Sequence, residues 1–358
     1  MAQISSPATL AATSTTHAQI ELGLEAAAVR QPAEASAHSR LGYELGWDFA
    51  HHGLTPPIEH LFNASPLLQG WQAGRATFGA RTLKASRQVS LWLHLRTHAW
   101  ARGRQFEAMQ LTPNYLQQLD STHCPILRSP LDGQGSIDRV RDDAGYAAGN
   151  LVLMSTAANR AKARHSHASA AELAQSVSQG PIQKIAGLGP QEWQRVAVLC
   201  SFVTELPHED AAQIPLSVLP PNRLRLFNPI QALQALLTRQ LATPGWSQRL
   251  SRLEALLTSQ ESKADFNRFV MALVPRVLKV DALEQPHEIR WALEDAWGDA
   301  LVMKRWTRFA LGLTAEQAEN LVQRAAAKRL SPVHVQKHGS EMATEGWALS
   351  RRGYRAAS

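Results

Sequence analysis

Cysteine is scarce. With only Cys124 and Cys200 in 358 residues, the chain has neither a disulfide framework nor a four-thiol zinc site, which fits a reducing compartment. Both read as small buried apolar residues. No stretch approaches the roughly 18 consecutive apolar residues that cross a bilayer, and the first residues lack the basic start and apolar core of a signal peptide. A cytoplasmic protein with no membrane partner is expected. The second half carries no metal-ligand spacing, no phosphate-cradling glycine loop and no nucleophile elbow. Neither a sustained heptad nor a repeat of fixed period is found, which excludes a long coiled coil and a solenoid.

What is present is a core and a positive charge. Hydrophobic residues make up 44% of the chain, enough to bury an interior at this length. Thirty-seven Lys and Arg stand against 30 Asp and Glu, a formal net charge of +7 that favours polyanionic partners. Residues 1–38 are rich in Ala, Ser, Thr and Gln, contain no aromatic residue and are expected to be disordered, with a short helix at Ala18 to Val29 as the exception. Aromatic residues then arrive together, from Tyr43, Trp47 and Phe49 to Trp92 and Trp100. Two similar segments, Gly46-Trp47-Asp48-Phe49-Ala50 and Gly70-Trp71-Gln72-Ala73-Gly74, each start a helical turn with a Trp and turn small residues toward a neighbour.

Periodicity predicts a long helix over Thr82 to Ala108, a short one opened by Thr112-Pro113, and an extended piece at Cys124-Pro125-Ile126-Leu127. Further helices are expected at Ala168 to Gln179, Pro190 to Val203, Pro229 to Leu241, Ser247 to Ser259, Lys263 to Leu273, Glu284 to Leu311 and Thr314 to Lys328, with breaks at prolines and glycines. The last stretch, 331–358, carries His334, Lys337, His338, Arg351, Arg352 and Arg355 and reads as a loose basic tail.

Between these helical regions lies Ser136-Ile137-Asp138-Arg139-Val140, a polar loop through Gly145-Tyr146, then Gly149-Asn150-Leu151-Val152-Leu153-Met154 and Ala158-Asn159-Arg160-Ala161-Lys162. It reads as strand, loop, strand, helix. Taken singly, Asp138 is an edge-strand acid, Asn150 the left-handed residue of a Gly-Asn turn and Asn159 a polar residue on a helix's wet side. Together and in this order they resemble the HNH nucleases of the ββα-metal (His-Me finger) superfamily, over about residues 123–164. The chain as a whole is similar to proteobacterial proteins of similar length, a resemblance that implies no activity.

The resemblance implies a fold class and a chemistry. The chain is expected to be mainly α, with an embedded HNH-like ββα unit (123–164) inside a helical region at 39–165, a helical C-terminal domain at 166–330 and the tail. Asp138 and Asn159 are the implied ligands of one Mg²⁺ or Mn²⁺ ion, and Asn150 is the implied structural residue that pins the loop. Arg139, Arg160, Lys162 and Arg164 are the implied contacts to nucleic acid, DNA first. Arg139 stands where the family usually has its general-base His. An arginine stays protonated near neutral pH and cannot take a proton from water, although it can stabilise a phosphorane-like charge. The base is then sought at His123 first, and at His165 or His167. Three functions follow as expectations: a metal-dependent endonuclease, a catalytically inactive nucleic-acid-binding protein, or a helical protein-interaction protein. In the nuclease reading Asp138→Ala is expected to abolish activity and leave the fold nearly intact.

Overall fold

The computed structural model describes residues 32–277, 283–330 and Trp347. Among them the chain is mainly helical, with fourteen α-helices and one two-stranded sheet. Helices α1 (Pro32–His51), α2 (Pro66–Phe78), α3 (Arg87–Ala101) and α4 (Pro113–Gln117) precede strands β1 (Ser136–Arg139) and β2 (Leu151–Met154). Ten helices follow: α5 (Thr156–Lys162), α6 (His167–Gln179), α7 (Pro190–Ser201), α8 (His208–Ala212), α9 (Pro229–Gln240), α10 (Trp246–Glu254), α11 (Gln260–Val277), α12 (Pro286–Asp295), α13 (Ala300–Leu311) and α14 (Ala315–Ala327). None of the described helices is long and apolar enough to cross a membrane.

Many of the helix starts are written in short polar side chains. Ser65, Ser86, Thr112, Ser155, Ser166, Asp299 and Thr314 each accept a hydrogen bond from a backbone N–H of the first turn. Ser86 explains why α3 is shorter than the periodicity over Thr82 to Ala108 suggests: it caps Val89 N, and Gly103, at φ 60°, closes the other end. The expected element from Glu284 to Leu311 is two helices, because the chain narrows to a 3₁₀ turn at Ala296–Gly298 and Asp299 caps a fresh start. Buried Trp297 holds that turn inward and donates its indole N–H to Thr238 Oγ1 at 3.0 Å. Conversely, α11 runs through Pro275 to Val277, where burial of Ala272, Leu273 and Val277 outweighs one missing backbone bond.

Other segments also differ from the sequence pattern. Cys124 to Leu127 is a turn rather than an extended piece, closed by Arg128 N donating to Cys124 O at 2.9 Å. Residues 32–38, expected to be disordered, belong to α1, where the His38 ring stacks on Trp100 and His38 O accepts the Trp100 indole N–H. The expected helix at Ala18 to Val29 lies outside the described residues, as does the tail apart from Trp347. That one residue is buried and donates its indole N–H to Ala148 O at 2.9 Å.

Three apolar clusters organise the molecule. One joins α1, α2 and α3 through Leu45, Phe49, Leu67 and Leu93. A second lies between α3, α4 and the hairpin, with Leu95, Ala99, Leu116, Tyr146 and Leu151. The largest takes Val152, Leu153 and Met154 from β2 and continues without a gap through α5 to α14, across position 165/166. Strand β2 is buried on both faces, which is why it reads as a continuous apolar run rather than an alternating one.

The repeated Gly-Trp segments are where α1 and α2 cross. A Cβ on Gly46 would lie 2.0 Å from Leu67 O, and one on Gly70 would lie 1.9 Å from Tyr43 O. Each is backbone against backbone, so no rotamer change relieves it. Gly70→Ala should therefore lower stability by about 1–3 kcal/mol despite the roughly 1 kcal/mol helix-propensity gain of alanine. Urea unfolding of the two proteins checks the sign.

Candidate functional site

The hairpin pairs β1 with β2 antiparallel, Asp138 opposite Val152 and Arg139 opposite Leu151. Between the strands the chain turns through 140–150, and Asn150 closes that loop from inside. Its Oδ1 accepts from Arg141 N at 2.8 Å, and its Nδ2 donates to Arg141 O and to Gly145 O, each at 3.0 Å. Fully buried, the amide satisfies backbone groups that have no ladder partner. The left-handed position of the Gly-Asn pair is Gly149, at φ 90°, not Asn150. From outside, Tyr115 Oη accepts from Gly149 N and Glu107 Oε2 from Ala148 N, both at 2.8 Å.

Helix α5 starts at its Ser155 cap and ends at Ala163, which adopts φ 42°. That short run brings Lys162 under β1. Its Nζ sits 2.9 Å from Asp138 Oδ2 and donates to Arg139 O at 2.9 Å. The lysine side chain is 0% exposed. Burial pushes the Asp138 carboxyl above the usual carboxylate range, against the pull of the ammonium. Burial also opposes the charge on Lys162, but Asp138 more than offsets it, so the ammonium is held above the ordinary lysine range. Cys200, behind the pair, is pushed up to about 11 by burial and stays a thiol.

Asn159, one turn before Lys162, donates Nδ2 to Ser136 Oγ at 2.7 Å and so fastens α5 to the start of β1. A divalent cation at Asp138 would face a fixed ammonium at contact distance in a buried setting, where unlike partners are chosen and like charges are excluded. Among the described residues no group of three or more His, Cys, Asp or Glu is placed to hold a metal ion. As arranged, Asp138 and Asn159 do not fit Mg²⁺ or Mn²⁺.

Arg139 folds over the loop. Its Nη1 donates to Asp142 O at 2.8 Å and Ala144 O at 2.7 Å, its Nη2 to Asp142 Oδ1 at 2.7 Å, and the guanidinium lies 5.2 Å above the Tyr146 ring. Asp142 is shared. Arg104 Nη1 also donates to its carbonyl at 3.0 Å, with Nη2 3.7 Å from Oδ2, and the 84% exposed Arg164 reaches Oδ2 only at 3.9 Å. Arg160 points to solvent.

The histidines sort differently from their order in the sequence. His123 bonds Thr122 Oγ1 at 3.0 Å, stacks on His287 at 4.0 Å and meets the edge of Trp291; none of its contacts is with Asp138 or Arg139. His165 bonds Ser169 Oγ, and His167 Nδ1 lies 2.9 Å from Ala197 O. The imidazole that does lie beside the loop is His98 of α3, whose Nδ1 is 2.6 Å from Tyr146 Oη. Burial first, then Arg102, His94 and Arg139, holds its pKa down to about 4. The signal for it was in the sequence: His94, His98 and Arg102 are spaced four apart and share one helix face.

No protein-family model matches the chain, and neither does any curated protein or solved structure.

Two outcomes follow from this geometry. Asp138→Ala leaves a buried, unpaired ammonium and should cost about 3–5 kcal/mol, contrary to the expectation of an intact fold; Asp138→Ala with Lys162→Met should recover much of it in denaturant titrations. For His98, the unfolded chain takes up a proton near the ordinary value of 6.5 that the native state refuses until about pH 4. Its contribution to stability is thus complete above 6.5 and declines as pH falls toward 4. The urea midpoint should drop over that window, and drop less in His98→Gln.

Proposed function

We propose that this chain binds nucleic acid with a face formed by α5 and the β1–β2 loop, on an HNH-like ββα scaffold whose acid has a structural task. The observation that carries the reading is how α5 sorts its cations. Lys162 is buried on Asp138, while Arg160 on the same helix and Arg164 just beyond its end are left at the surface, Arg164 3.9 Å from Asp142 of the Asn150-clasped loop. Exposed guanidinium groups on a chain of net +7 suit a phosphate backbone, where charge neutralisation releases counterions and makes affinity fall with salt. The Asn150 clasp, the antiparallel hairpin and the helix that follows it support the HNH resemblance. Metal-dependent cleavage has less support, because Asp138 is paired with Lys162 and Arg139 is turned into the loop.

Fluorescence anisotropy with a labelled DNA duplex and a labelled RNA strand, each over a salt series, tests the proposal. The wild-type protein should bind, and Arg160→Ala with Arg164→Ala should flatten the log–log salt slope for duplex DNA by about 1.8. Absence of binding at low salt, or an unchanged slope in the double variant, sinks it and favours the protein-interaction reading. Supercoiled plasmid nicked with Mg²⁺ or Mn²⁺, but not by a folded Asp138→Asn variant, would restore the endonuclease.

A further inference from the structure

On α3, one turn of helix separates His94 from His98, with ring centroids 6.5 Å apart, and Arg102 continues the same face. His98 is pinned by Tyr146 at 2.6 Å, and the Tyr146 ring carries the Arg139 guanidinium at 5.2 Å. Its other ring nitrogen, Nε2, makes no hydrogen bond with the described residues. His94 is exposed and Arg102 is exposed, and neither has an acidic partner among the described residues. Asp142, the acid of the neighbouring loop, is already engaged by Arg104 and Arg139. The arrangement sets two imidazoles and a free cation at the rim of the proposed phosphate-binding face. None of them needs a metal to act.

We propose that His94 and His98 form a metal-independent site that cleaves single-stranded RNA by attack of the substrate's own 2′-hydroxyl. This rests on the nucleic-acid reading above and names its substrate. The proposed reaction uses the tautomer in which His98 Nδ1–H donates to Tyr146 Oη and Nε2, which has no partner among the described residues, accepts the 2′-hydroxyl proton. The freed 2′-oxygen bonds to the adjacent phosphorus while the bond from phosphorus to the 5′-oxygen breaks. That leaving oxygen takes a proton from His94. The products are a 2′,3′-cyclic phosphate and a 5′-hydroxyl end, with no oxidant, reductant or water consumed. Arg102 faces the charge that builds on the nonbridging oxygens. Tyr146 is a positioning residue that holds the His98 ring through Nδ1. Burial first, then the neighbouring charge of Arg102, lowers the His98 pKa and keeps the ring unprotonated at neutral pH.

The experiment uses the full chain with a 5′-labelled oligouridylate in EDTA, beside the same strand carrying 2′-O-methyl groups, and reads both binding and cleavage. Cleavage of the ribose strand alone, ending in a cyclic phosphate, is expected, with His98→Asn, purified identically and shown to be folded by circular dichroism, slower by about 10²–10⁴-fold. His94→Asn should slow cleavage as well, and Tyr146→Phe should slow it less. Bound but uncut RNA overturns this inference and leaves the binding proposal standing. Cleavage that survives His98→Asn, or that also cuts the methylated strand, overturns it too. A folded protein that does not bind RNA or DNA fails the proposed function itself.

Discussion

The buried pair of Asp138 and Lys162 is the contact on which the hairpin, its loop and the helix after it depend. It joins the middle of β1 to the last residue of α5, and the same ammonium holds the carbonyl of Arg139. Two charges removed from water cost several kcal/mol each unless they meet. Once they meet, neither can leave without leaving the other stranded. That constraint decides the chemistry available at this spot, since a carboxylate held by a buried lysine is not free for a cation. It also decides which surface α5 presents, because burying Lys162 turns Arg160 outward.

Around that pair the loop is fastened from both sides. Asn150 satisfies its inner backbone groups, and Arg139 and Arg104 converge on Asp142 across its outer turn. Tyr146 then serves two neighbours, as a platform for Arg139 and as the partner of His98. Helix α3 is what makes the second of these possible. Its Leu93 packs with α1 and α2, while Leu95 and Ala99 pack on the hairpin side, so the helix is gripped by two clusters and its His94–His98–Arg102 face is set by their geometry. The close crossing of α1 and α2 at Gly46 and Gly70 positions that support in turn.

Much of the local structure was legible in the residues. The Thr112-Pro113 cap and the expected helix from Thr314 marked helix starts within a residue, and Gly-Trp repetition marked a close helix crossing. Legibility failed where a long-range contact overrode a local pattern. Trp297 seated on Thr238 splits an apparently continuous helix, and burial of α11 carries a helix through Pro275. The same holds at the site. Asp138, Asn150 and Asn159 could be picked out by type and order, yet the partner of Asp138 lies 24 residues on and that of His98 lies 48 residues on.

By itself, then, the sequence determined a mainly helical protein with a net positive charge, a short apolar strand flanked by Asn150 and a helix bearing Arg160 and Lys162, because periodicity, capping and composition are properties of neighbouring residues. Only the tertiary structure decided that Lys162 is buried on Asp138 rather than offered to phosphate, that Arg139 braces a loop, and that His98 rather than His123 stands beside Tyr146. A charge's role depends on how much water it keeps and which charge lies within about 4 Å of it, and both are set by packing between elements far apart in the chain.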